Sequence, residues 1–196
     1  MSTHQQWQAS LDLVFSAKNK KTILSKNLHF GPLMVQKPFY PESPGVCHIY
    51  LLHPPGGVVH GDQLKIDVHV EPFAHALITT PAAGKFYRSN GQVASLTQNL
   101  QVEDSALLEW LPQETLLFNA SKVHLKTMIR LSGNARFIGW EMLCLGRKAS
   151  AEPYSKGQCR QHFELWLDHQ PLFIERCQIE GQSAMLKEKW GMDHWP

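Results

Sequence analysis

The stretch WQASLDLVF, residues 7–15, places Trp7, Ala9, Leu11, Leu13 and Phe15 at every second position, with Val14 the single apolar residue out of phase. Successive side chains of a strand point to opposite faces, so this pattern predicts a strand buried on one face and wetted on the other. LKIDVHV, residues 64–70, repeats it with Leu64, Ile66, Val68 and Val70 on one side and Lys65, Asp67 and His69 on the other. KVHLKTMIRL, residues 122–131, does so again through Val123, Leu125, Thr127, Ile129 and Leu131. Weaker versions cover 22–29, 46–52, 74–80, 93–102, 106–111, 135–145, 159–167 and 172–179, which makes about eleven strands in all.

Turn chemistry falls between these runs. AKNKK, PESPG, HPPGG, RSNG, LSGNA and YSKG combine Gly, Pro, Asn and Ser, residues that supply positive φ or a fixed φ or compete for backbone hydrogen bonds. In HPPGG, residues 53–57, two prolines remove backbone donors and two glycines permit positive φ, which predicts a tight reversal between 46–52 and 64–70. Many short strands at regular spacing imply a sandwich, a barrel or a solenoid rather than βαβ units. No internal repeat is visible, so periodicity leaves these three open. SAMLKEKWG, residues 183–191, is the one helical segment expected, with Ser183 as N-cap and Gly191 as its stop.

The chain has 196 residues and a formal net charge of +2 from 19 Lys+Arg and 17 Asp+Glu. A chain of that length buries roughly 70% of its unfolded surface. Without a run of like charge it carries no electrostatic footprint for nucleic acid or an anionic membrane. No stretch reaches the apolar length of a transmembrane helix and no signal peptide is apparent, so a cytoplasmic location is expected. Cys47, Cys144, Cys159 and Cys177 lie far apart with no CxxC pair, which predicts reduced thiols rather than a zinc knuckle or a disulfide framework.

Eleven histidines invite a metal-enzyme reading. Neither an HxH pair nor HExxH occurs, so most are expected at the core edge or in solvent; His53, His60 and Asp62 are the candidates for such a site. TPAAGKFYRS, residues 80–89, fails as a phosphate loop for want of the first glycine and of Ser or Thr after Lys85. It sets Lys85, Tyr87, Arg88 and Ser89 after an apolar strand, either as a polar strand end or as a surface that grips an anionic partner or lines a conduit. LLEWLPQETLLF, residues 107–118, embeds Glu109 and Glu114 among Leu, Trp and Phe, and FIGWEMLCLGR, residues 137–147, does the same with Glu141. A carboxylate in apolar surroundings needs a partner, a proton, a metal or water. For Glu141 the choice lies between a pair with Arg147 and a role in handling metal.

GPLMVQKPFYPE, CHIYLLHPPGGVV, GDQLKIDV, AHALITTPAAGKFYRS, LEWLPQETLLF and RFIGWEMLCLGR, in that order, resemble the urease accessory protein family UreD, also called UreH. The likeness runs from about Trp7 to Gly181. It implies one UreD-like β-rich domain over 1–196: a stacked-sheet, solenoid-like (β-helix-like) fold, mainly β, with few short helices toward the C-terminus. It also implies a urease maturation factor and not an enzyme. Members of the family bind a UreF partner that recruits the GTPase UreG, and the assembly docks on the urease apoprotein to support carbamylation of its active-site lysine and nickel insertion. No tightly bound cofactor is implied, only transient Ni²⁺ passing through a wet interior. On this reading Asp62, Glu109, Glu114 and Glu141 are oxygen ligands along the nickel path, and Lys85, Tyr87, Arg88 and Arg147 contact the partner.

Three departures from the family pattern stand out. The string usually read TTPGA before KFYRS has its glycine at Gly84 here, and His60 replaces a small residue before Gly61 and Asp62. Family members continue beyond Pro196, so a C-terminal part is expected to be missing. A structural adaptor without metal contact, and a β-rich metalloenzyme using His53, His60 and Asp62, are the rival functions.

Overall fold

The alternating runs form strands in the computed structural model, which describes residues 6–42 and 45–190. They are β1 (Gln8–Lys18), β2 (Lys21–Phe30), β3 (Met34–Val35), β4 (Cys47–Leu52), β5 (Gln63–Val70), β6 (His75–Thr79), β7 (Gly84–Phe86) and β8 (Ala94–Val102). These continue as β9 (Leu107–Leu111), β10 (Thr115–Leu117), β11 (Lys122–Leu131), β12 (Arg136–Gly139), β13 (Leu143–Leu145), β14 (Gln158–Leu167) and β15 (Gln170–Glu180). A single helical turn, α1 (Ala184–Lys187), follows.

Three sheets collect them. The longest runs β15-β14-β11-β8-β5-β1-β2, the second β12-β9-β6-β4-β3, the third β13-β10-β7. The chain visits the second, third and first sheet in the same order on every circuit: β6, β7, β8, then β9, β10, β11, then β12, β13, β14. Equivalent strands of successive circuits pair in parallel, so the fold is a β-solenoid of about four turns. It is mainly β, with one short helix near the C-terminus.

Parallel stacking in register turns each strand's period of two into columns along the solenoid. Leu13, Val68, Leu100 and Ile129 stand side by side, as do Phe15, Val70, Val102 and Leu131, and all are buried. Each such side chain contributes roughly 1.5–3 kcal/mol by leaving water, so the columns supply the main stabilisation. Two antiparallel hairpins flank the stack, both with two-residue turns at positive φ: Asn19 (51°) and Lys20 (62°) between β1 and β2, Asp168 (45°) and His169 (65°) between β14 and β15. That geometry matches the right-handed twist of the strands.

Several expectations are corrected. The HPPGG segment is not a reversal between paired strands: β4 and β5 belong to different sheets, and Val58 between them bridges in parallel to Phe86 of the third sheet. The run 135–145 is two strands, β12 and β13, separated by a corner at Trp140–Met142, because both sheets bury a face and the apolar pattern continues through the bend. β3, β7 and β10 were not anticipated; two or three residues are too short to show a period. At α1 the Ser183 side chain makes no cap bond. Gly191, its expected stop, lies outside the described residues, as do Ser43 and Pro44 of PESPG.

Candidate functional site

The apolar columns break at one level. Gln98 on β8 and Thr127 on β11 are paired neighbours that occupy inward positions and are buried. Glu141, on the corner between β12 and β13, reaches in to meet them. Its Oε1 accepts from Gln98 Nε2 at 3.0 Å and from the Thr127 hydroxyl, and its Oε2 accepts from Gln161 Nε2 at 2.8 Å. Gln98 Nε2 also donates to Thr127 Oγ1 at 2.7 Å. The carboxylate therefore finds neutral donors, and the pair with Arg147, one of its two alternatives, does not form.

This polar cluster borders a partly open pocket of about 360 Å³. Ile66, Phe86, Leu96, Trp110 and Leu125 wall it, and the HPPGG and TPAAGK corners edge it with His53, Gly56 and Lys85. Glu141 is the one carboxylate on its wall among the described residues. Trp110 Nε1 is buried and finds no protein acceptor, an orphan donor on the wall of a space large enough for water. Burial lowers the His53 pKa, opposed by the nearby Asp62 charge, so the imidazole favours its neutral form.

The other carboxylates expected on a metal path are placed differently. Asp62 is buried and clamps backbone: Oδ1 accepts from Trp7 N and Oδ2 from Val59 N, each at 3.0 Å, which ties the start of β1 to the corner before β5. Glu109 points away from the core on β9, its Oε1 2.6 Å from His75 Nε2. Glu114 lies half-buried before β10, where its charge adds to burial in raising the Cys144 thiol pKa. No three His, Cys, Asp or Glu side chains converge as metal ligands among the described residues, so neither these four nor His53, His60 and Asp62 form one cluster. The four cysteines are free thiols.

Of the partner candidates, Tyr87 and Arg147 meet on a residue that the sequence did not single out. The Tyr87 ring stands edge-on to Phe118 with centroids 4.6 Å apart, and the Arg147 guanidinium lies 4.5 Å from the centre of the Phe118 ring. Arg147 Nε also pairs with Glu152. Tyr87 OH donates to Gly56 O at 3.3 Å, and a Cβ at Gly57 would fall into the Tyr87 ring, so the HPPGG corner rests on this aromatic group. Lys85 lines the cavity and Arg88 is exposed nearby. Gln98 was legible in principle, as a polar residue in the apolar phase of ASLTQNLQV. Phe118 carried no local signal, since only the coil stacking brings it to Arg147, whereas Glu152 meets Arg147 across a local turn.

A family model described as UreD urease accessory protein matches residues 8–196. The chain belongs to the UreD family. The urease accessory protein UreD of Saccharophagus degradans is 49% identical over 194 residues, covering 97% of this chain and 65% of that protein. That of Enterobacter sp. strain 638 is 51% identical over 170 residues, 87% of this chain and 62% of its own length. That of Klebsiella aerogenes is 46% identical over 184 residues, 93% and 68% respectively. This UreD chain thus spans about two thirds of the length of the curated relatives it matches. The relatives are named as accessory proteins. No helix among its described residues is long and apolar enough to cross a membrane.

Proposed function

We propose that this UreD-family chain acts in urease maturation as a scaffold and conduit: it joins UreF and, through it, UreG, docks on the urease apoprotein, and supports delivery of Ni²⁺ to the urease active site. It acts in the cytoplasm, catalyses no reaction of its own, and uses neither nucleic acid nor membrane as partner. Nickel is cargo, not a resident cofactor. Family membership motivates the role, and the observation that carries the mechanism is Glu141, a carboxylate held by three neutral donors on the wall of a partly open pocket. A single charged oxygen ligand among amides and a hydroxyl holds a borderline divalent ion loosely, which suits transfer better than storage. Asp62, Glu109 and Glu114 stay in the proposal as weaker stations, because two of them are occupied by structural hydrogen bonds.

The test is reconstitution. A chain extended to the length of its relatives should copurify with UreF and apo-urease and raise nickel incorporation into urease. Failure of both sinks the reading. A purely structural adaptor is the second reading, favoured by the absence of a converged ligand set among the described residues. Calorimetric titration of the complex with Ni²⁺ separates the two: heat of binding that Glu141→Gln abolishes supports the conduit, and no heat supports the adaptor.

A further inference from the structure

The solvent face of the long sheet carries an unbalanced cationic cluster. Coil register sets His124 of β11 beside Arg160 of β14 and Lys126 beside His162, while His162 lies opposite Arg176 of β15. All five side chains are exposed. Like charges on directly paired positions repel, so once the histidines are protonated in mild acid this arrangement works against folding. The His124 pKa is lowered, first by burial and then by Arg160 and His162.

Toward the other end of the same face three cations are answered. Lys26 pairs with Asp12, Lys65 with Asp67 at 2.7 Å, and His69 with Glu103 at 3.0 Å. Within the cluster the one carboxylate in ion-pair range among the described residues is Glu164, 3.8 Å from Arg176; Lys126 and Arg160 have none. Lys122 and Arg130 of the same β11 face are also exposed and pair with no carboxylate among the described residues, so the β11–β15 end of this face presents a charge surplus to something outside the chain.

We infer that this cluster on β11, β14 and β15 docks an acidic polypeptide segment in extended conformation. His124 and Lys126, like Arg160 and His162, are two residues apart on a strand, a step of about 6.6 Å. Carboxylates at alternate positions of an extended segment repeat at the same step, so one segment laid along the strands meets both rows. A nucleic acid fits less well. The next row of this face carries Asp67 and Glu164 in register with Asn99 and Met128, which sets carboxylates against a continuing phosphate backbone. Five permanent cations, Lys122, Lys126, Arg130, Arg160 and Arg176, also fall short of the roughly 6–10 phosphate contacts of a salt-dependent nucleic-acid binder. The inference is independent of the nickel path.

The experiment measures fluorescence anisotropy of a labelled decapeptide of alternating Glu and Ser at low ionic strength, with a single-stranded DNA decamer as competing probe. The peptide should bind the natural chain, about tenfold more weakly to Lys126→Glu/Arg160→Glu, and less than about threefold more weakly to Lys18→Glu/Lys187→Glu, which changes net charge equally. Lys126→Gln/Arg160→Gln, which removes charge without reversing it, should also lose affinity while keeping the β-sheet circular dichroism. No binding of the peptide, equal losses in the two reversal variants, or unchanged affinity in the Gln variant overturns the proposal. Tighter binding of the DNA decamer reassigns the surface to nucleic acid and overturns it as well.

Discussion

At the scale of single residues, Glu141 separates structure from function. Replacing it with Ala leaves the Gln98, Thr127 and Gln161 donors without their acceptor, a loss of about 1–3 kcal/mol by analogy with other unsatisfied buried polar groups. Glu141→Gln keeps an acceptor oxygen and the side-chain volume, so urea denaturation should show a smaller loss for Gln than for Ala. Urease activation in the reconstituted complex should fall in both. Activation retained by the Gln variant would assign Glu141 to structure alone. His53 supplies a pH test. Its folded pKa is lowered, so the unfolded chain binds the extra proton as pH falls through the ordinary histidine range near 6.5, and stability drops there. Thermal melts of His53→Leu should lose less between neutral pH and mild acid than those of the natural chain.

At the scale of elements, the corners decide where strands begin and end. Gly57 lies under the Tyr87 ring, so Gly57→Ala drives a methyl group into a packed aromatic and should cost about 1–3 kcal/mol. Tyr87→Ala removes the obstacle. The double variant should therefore be markedly more stable than the sum of the single losses predicts, and chemical denaturation of all four chains reads that coupling. The like-charge rows of β11 and β14 make the opposite prediction. Arg160→Gln removes a neighbour that repels His124 once the ring is protonated, so in mild acid it should raise stability slightly, by roughly a few tenths of a kcal/mol, read as a small rise in thermal midpoint.

At the scale of the whole molecule, the β14–β15 hairpin exposes apolar side chains at one end of the stack, as Leu28 and Phe30 of β2 do at the other. Leu172, Phe173 and Ile174 of β15 are 56%, 50% and 44% exposed, and β15 forms one edge of the long sheet. An uncovered apolar edge strand associates with other chains. Sedimentation velocity should show concentration-dependent association of this chain, reduced by Leu172→Lys/Ile174→Lys. A monomer at every concentration would show that the hairpin protects itself.

The amino-acid sequence determined the strands on its own terms, because a period of two needs only the contrast between a wet face and a dry one. Residues 9–15, 64–70 and 122–131 name their inward side chains without reference to any neighbour, whereas Trp7, the first of the expected series, lies ahead of β1 and is 49% exposed. It did not determine the solenoid. The coil step runs from Gln63 to Ser95, then from Ala94 to Val123, then from Val123 to Cys159, that is 32, 29 and 36 residues, so no fixed repeat survives in the chain. The recurrent trace is a proline after β4, β6 and β9, at Pro54, Pro81 and Pro112. The fate of the embedded carboxylates was also undecided until the sheets closed. Glu109 and Glu141 both sit in apolar runs, yet one faces outward to His75 and the other inward to Gln98, Thr127 and Gln161. Alternation defines two faces but not which one meets water. That choice, with the meeting of Tyr87, Phe118 and Arg147 and the gathering of cations on β11, β14 and β15, follows from stacking coils in register, which only the tertiary structure supplies.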